Sequence, residues 1–169
     1  MFCKNHYEAA FEHYLQKNRI PYFANGQEYR NRFDDDITLK NFDYVVSTRT
    51  KWNWIIDVKG RKFPGLGRSR RYWKHWTTQD DLSGMLRWES FLGQTFRGLF
   101  VFAYWLQADR SPVPPEQLFR WRNGLYAFVA IDVHAYLAEA RLISPKWQTY
   151  EMPVKKFRAQ ARPFTDFIV

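Results

Sequence analysis

Gly98 to Leu106 is an unbroken apolar run with no polar–apolar alternation, and it constrains the layering of any fold the chain adopts. A strand with water on one face alternates; one that does not alternate is covered on both faces. The run is far too short to span a bilayer. The sheet it belongs to therefore needs cover on each side, and the sequence offers helices for it. Cys3 to Asn18 reads as a helix with Cys3, Tyr7, Ala10, Phe11, Tyr14 and Leu15 on one stripe. Thr78 reads as the N-cap of a second helix, with Asp80 and Asp81 in its first turn, where carboxylates favour the dipole, and Gly93 at its stop. Leu82, Met85, Leu86 and Glu89 share one side of it. Asp132 reads as the cap of a short third helix reaching Arg141.

The other segments read as strands and connections. Ile20–Ala24 is a strand entered through Pro21, and Phe42–Ser47 and Asn53–Lys59 are two more, joined by Thr48–Trp52. Leu118–Ile131 is a hairpin turning at Asn123-Gly124, the strongest short-range turn signal in the chain. Asn25–Asn41 is polar and ambiguous, Ala108–Glu116 is a Pro-rich loop, and the tail through Pro145, Pro153 and Pro163 has no clear periodicity. The order is helix, three strands, helix, strand, hairpin, short helix. That order predicts an α/β fold, a mixed β-sheet with flanking helices. The length of 169 residues predicts a single domain, with a core over about 3–106 and the hairpin, helix and tail added over 107–169.

Charge narrows the partner. The net charge of +9 points to a polyanion, although a basic soluble protein is the blander meaning. An aromatic fraction of 20% is a globular composition rather than a disordered one. The lone Cys3 allows no internal disulfide and argues against a zinc–thiolate site. Met1–Ala10 has no apolar h-region, so a cytoplasmic setting without a membrane partner is expected.

The chemistry-bearing residues sit around Asp57-Val58-Lys59-Gly60. Side chains alternate along a strand, so Asp57 and Lys59 share a face, and Asp43 lies on the preceding strand. Two carboxylates and an amine gathered there repel or lose solvation unless they hold something. A hard divalent cation with oxygen ligands would satisfy them, which suggests phosphodiester chemistry. On the first helix Glu8 and Glu12 lie one turn apart. Glu8 borders the apolar stripe and is the better placed to look into the sheet. Each of these residues also has a plain meaning: solvated glutamates, a strand-edge Asp43, or a strand-end Lys59 reaching for water.

Together these positions resemble the PD-(D/E)xK nuclease superfamily. Its pattern is a glutamate on the first helix, an aspartate on one strand and D/E-x-K on the next. The matching positions are Glu8 or Glu12, Asp43, Asp57 and Lys59, with Phe42 where the name has proline. The resemblance covers roughly Tyr7 to Leu106. It implies a restriction-endonuclease-like core of order α-β-β-β-α-β and a metal-dependent nuclease acting on DNA, or on RNA, with a homodimer allowed. Asp43, Asp57 and the carbonyl of Val58 would bind Mg²⁺ or Mn²⁺, with Glu8 (or Glu12) bound directly or through water. Lys59 would position the attacking water or offset charge on the phosphate. His6-Tyr7-Glu8-Ala9-Ala10-Phe11-Glu12 also resembles the signature of a bacterial family named HYExAFE, a name that carries no activity.

Arg61–Trp76 reads as a long basic loop hanging over this site. Arg61, Lys62, Arg68, Arg70, Arg71 and Lys74 suit phosphates, and Tyr72 and Trp73 suit unpaired bases, with Trp76 packed on the sheet. The plainer meaning is a solvated loop whose aromatics fold back. Asp34-Asp35-Asp36 offers another acidic cluster, read here as a loop. The four histidines show no metal-ligand spacing, and Gly65-Leu66-Gly67 lacks the strand-to-helix setting of a phosphate loop. A non-catalytic nucleic-acid-binding or interaction module on the same fold is the alternative, since the basic loop would serve both.

Overall fold

The computed structural model of the chain describes residues 4–25, 40–64 and 73–169; Asp34–Asp36 and residues 65–72 lie outside them. Along the chain come α1 (His6–Lys17), β1 (Tyr22–Ala24), β2 (Tyr44–Ser47), β3 (Asn53–Phe63), β4 (Thr77–Thr78) and α2 (Gln79–Leu92). They are followed by β5 (Phe96–Leu106), β6 (Phe119–Trp121), β7 (Gly124–Asp132), α3 (Val133–Glu139), β8 (Arg141–Ser144), β9 (Thr149–Glu151), α4 (Val154–Gln160) and β10 (Arg162–Pro163). The expected α-β-β-β-α-β order is present, with the two-residue β4 placed before α2. Among the described residues no helix is long and apolar enough to cross a membrane.

The main sheet has the order β1-β2-β3-β5-β7-β10, with β6 paired to β7. β3 and β5 run parallel, while β5 and β7 are antiparallel, so the sheet is mixed. β5 lies inside it, between β3 and β7, as the unbroken apolar run requires. Its side chains split by parity. Leu99, Val101 and Ala103 join one buried cluster with Ala10, Phe11 and Leu15 of α1, and Phe100, Phe102 and Tyr104 join another with residues of α2, α3 and α4. Thus α1 covers one face and the other three helices cover the opposite one.

Local sequence sets each helix boundary. Asn5 caps α1, its side-chain oxygen accepting from the Glu8 N–H at 2.9 Å. Thr78 and Asp81 form a reciprocal capping box at the start of α2, and Gly93 closes it at φ 104°, in the left-handed region that favours glycine. Gly60 matters for another reason. α1 approaches β3 so closely there that a Cβ on Gly60 would fall 2.1 Å from the Tyr7 ring.

The tail is more ordered than its lack of periodicity predicts. β8 and β9 form a hairpin that joins β4 in a second, three-stranded sheet, and β10 adds an edge to the main sheet against β7. α4 buries Phe157 completely, stacked on His75 and edge-on to Phe102. Strands of two to four residues and a seven-residue helix are too short to show a period, so only the packing reveals them. Phe157→Ala is expected to lower unfolding free energy by ~3 kcal/mol or more, because the ring is wholly buried among aromatics. Urea unfolding followed by circular dichroism measures this; a loss below ~1 kcal/mol would show that α4 is not part of the core.

Candidate active site

The β3 face turned toward α2 carries Ile55, Asp57, Lys59, Arg61 and Phe63. Ile55 and Phe63 are buried in the cluster on that side, so three charged side chains interrupt an apolar stripe. Ladder pairing sets Asp57 beside Phe100 and Lys59 beside Phe102 on β5. Asp43 immediately precedes β2, and its N–H donates to the Ile56 carbonyl at 2.8 Å. Continuing the Tyr44–Ile56 pairing by one residue puts Asp43 opposite Asp57. The Val58 N–H donates to Asp43 Oδ2 at 2.7 Å, which ties the two strands' acidic positions together.

Glu8, Asp43, Asp57, Val58 and Lys59 line one pocket of about 570 Å³, and Arg61 lines it too. Glu8 faces it from α1, with its carboxylate accepting from the capping Asn5 side chain at 2.6 Å. Glu12 does not line it. One turn further along α1, its carboxylate is taken by Lys4 and by the Tyr22 hydroxyl, at 2.9 Å from the latter. Of the two glutamates, Glu8 is the one brought to the site.

Lys59 is 7% exposed and held between two acids: Nζ donates to Asp81 Oδ2 at 2.6 Å and to Asp57 Oδ2 at 3.1 Å. Asp81 is the residue that sequence reading places only in a dipole role. Its Oδ2 also accepts from Thr77 Oγ1 at 3.2 Å, and its Oδ1 pairs with Lys40. The capping box fixes where α2 starts, and the packing of that start beside β3, which no local signal gives, brings its third residue to Lys59.

The electrostatics divide the acids into two groups. Lys59 and Lys40 hold Asp81 well below the usual carboxylate range, although burial acts against them. Glu8, Asp43 and Asp57 are all pushed up. Burial is the largest cause for each, and Asp57 adds repulsion to both Glu8 and Asp43. Asp43 is raised to about 8. Among the described residues no three carboxylate, imidazole or thiolate side chains meet closely enough to cage an ion by themselves. The donor set fits a cation of another kind. Mg²⁺ is commonly held by one or two carboxylates with water and substrate phosphate completing its shell, and Asp43 and Asp57 repel one another in the manner a bound cation would relieve.

The basic segment differs from the expectation in several places. β3 continues to Phe63, so Arg61 and Lys62 are strand residues with opposite parity. Arg61 turns to the pocket, while Lys62 lies 5.5 Å over Trp105 and does not line it. The roles expected of the two tryptophans are exchanged. Trp73 packs against Phe63, Tyr104 and Phe157, whereas Trp76 is 37% exposed and lines the pocket. Tyr104 explains this, because its hydroxyl donates to the Lys74 carbonyl at 2.9 Å and anchors the segment beside Trp73. Lys74 does not line the pocket. Arg68, Arg70, Arg71 and Tyr72 lie outside the described residues.

No protein-family model matches the chain, and no curated protein matches it in sequence. The likeness of residues 6–12 to the HYExAFE signature therefore remains a likeness of that segment. Among solved structures the chain is similar to Archaeoglobus fulgidus Hjc, a Holliday junction resolvase from an archaeal hyperthermophile. The TM-score is 0.56 at 9% identity, covering 96% of this chain and 98% of that one. The shared property is the fold, a restriction-endonuclease-like α/β architecture with a mixed sheet and flanking helices.

The raised Asp43 value gives a pH dependence with a definite sign. Between its ordinary value of 3.8 and about 8, the folded chain keeps a proton that the unfolded chain releases. This group's contribution to stability is therefore complete below pH ~4 and lost as pH rises through ~8. Asp43→Asn, which can still accept from the Val58 N–H, should raise stability by on the order of 1 kcal/mol at the alkaline end. The gain should vanish toward pH ~4 in thermal melts without divalent metal. A gain of equal size at both ends would remove the like-charge account.

Proposed function

We propose that the chain is a metal-dependent nuclease that hydrolyses phosphodiester bonds, with DNA the favoured substrate over RNA. The observation that carries this reading is the convergence of Asp43, Asp57 and Lys59 on one pocket, with Glu8 facing them from α1. The restriction-endonuclease-like fold supports it, and a structural neighbour described as a Holliday junction resolvase favours DNA.

Asp43, Asp57 and the carbonyl of Val58 would hold Mg²⁺ or Mn²⁺, with Glu8 completing the site through water. Such an ion polarises a phosphoryl oxygen and lowers the pKa of a bound water. The chain's own residues do the rest. Asp57 and Asp81 fix the Lys59 ammonium, leaving one of its three N–H groups to meet a phosphate oxygen or the attacking water. Lys40 and Arg61 add positive charge to the pocket wall, opposing repulsion between the acids and the phosphate backbone.

The test is incubation of the purified chain with plasmid, single-stranded DNA and RNA, in Mg²⁺, Mn²⁺, Co²⁺ or EDTA. Asp57→Ala should abolish cleavage, at least ~10³-fold, while binding in EDTA stays equal or strengthens because a carboxylate near the phosphate is gone. Lys59→Ala should also lose cleavage yet keep its metal affinity, since an ammonium is not a ligand. Wild type that binds nucleic acid but cuts nothing with any of the three ions would leave the non-catalytic binding module as the better account.

A further inference from the structure

The pocket contains donors that this chemistry does not use. Arg61 Nη1 donates to the Gly60 carbonyl at 2.8 Å and Nη2 to the Trp76 carbonyl at 2.7 Å. Among the described residues it forms no ion pair, and its buried Nε has no acceptor. Asn41 Nδ2, on the same pocket, is a second buried donor without an acceptor. Buried N–H groups are almost always satisfied, so two orphans in one pocket call for a ligand that brings oxygens. Beside a fixed guanidinium, a phosphate is the group whose geometry and charge fit.

The aromatic partner stands next to them. The Arg61 guanidinium lies 4.1 Å from the Trp76 ring centroid, so a cation backs the indole and its position is set by the hydrogen bond to its own carbonyl. The ring is 37% exposed and lines the pocket. Positions two apart on a strand are separated by roughly 6.6 Å. Arg61 therefore stands one such step beyond Lys59, a spacing comparable to the backbone repeat of an extended nucleic-acid strand.

We infer that Asn41, Arg61 and Trp76 form a subsite for one unpaired nucleotide of a DNA strand. The amide and guanidinium take its phosphate, and the indole stacks on its base. A base inside a duplex has both faces covered by its neighbours, so this platform selects a nucleotide that is out of the stack. The assignment of the cleaved bond to the neighbouring phosphate rests on the nuclease reading; the binding itself does not.

Fluorescence anisotropy tests the subsite, using the full chain in EDTA with a labelled single-stranded oligodeoxynucleotide and the blunt duplex made from it. Trp76→Leu should weaken single-strand binding by about tenfold or more and duplex binding by less than about twofold, the range expected of one stacked base. Trp76→Phe, which keeps a ring, should retain most of the single-strand affinity. Asn41→Ala should weaken single-strand binding as well. Equal losses on both DNAs, no loss on either, an equal loss for the Phe variant, or a wild type that binds neither DNA would each overturn the subsite. A wild type that cuts with Mn²⁺ but shows no such difference keeps the nuclease reading and discards the subsite. One that never cuts but shows the difference keeps the subsite and discards the nuclease.

Discussion

Charge placed inside an apolar stripe is the constraint from which the rest of the site follows. On one face of β3 the sequence runs Ile55, Asp57, Lys59, Arg61, Phe63, and its two ends are core. Of the three charges between them, two lie against aromatic rings of β5, Lys59 5.2 Å from the Phe100 centroid and Arg61 5.9 Å from that of Phe102. An unpaired charge in that position would be strongly destabilising, by ~3–5 kcal/mol where a partner is removed. Partners are therefore recruited outward. Asp57 and Asp81 hold Lys59, Lys40 holds Asp81, and Trp76 covers Arg61. Where α2 begins and where the chain enters β2 are both tied to this set.

The satisfaction is uneven, and the unevenness carries the chemistry. Asp81 has two ammonium partners and stays ionised well below the usual range. Glu8, Asp43 and Asp57 are raised chiefly by burial, with Asp57 adding repulsion to Glu8 and Asp43, and Asp81 adding it to Asp57. Environments that separate the titration of neighbouring carboxyls mark sites built for a task. Here Asp81 and Asp57 share the ammonium of Lys59, and the raised Asp43, Asp57 and Glu8 form the part of the pocket where we propose a divalent cation binds.

Much of this was readable from residues alone. β5 announced itself through missing alternation, α2 through Thr78, Asp81 and Gly93, and the acidic site through strand parity at Asp57 and Lys59. What stayed hidden depends on tertiary context. The helical wheel favours Glu8 over Glu12 without showing that Glu12 is occupied elsewhere; the positions of Tyr22 and Lys4 show that. Trp73 and Trp76 are alike in sequence, and the hydroxyl of Tyr104 decides which is buried. Asp81 reads as a first-turn acid favouring the helix dipole; that it also closes the capping box and grips Lys59 follows from the local geometry and from the packing of α2 on β3. The tail's elements are too short for any period to mark them, yet Phe157 places α4 in the core.

The central claim is that Asp43 and Asp57 are held short of a positive charge that a divalent cation supplies. Calorimetric titration of Mn²⁺ into the metal-free chain near neutral pH, in buffers of different ionisation enthalpy, measures both binding and proton release. The account predicts a site that is lost in Asp57→Ala and whose occupation releases protons, because Asp43 titrates at about 8 without the ion. Binding unchanged by Asp57→Ala, or binding with no proton release near neutral pH, would contradict it.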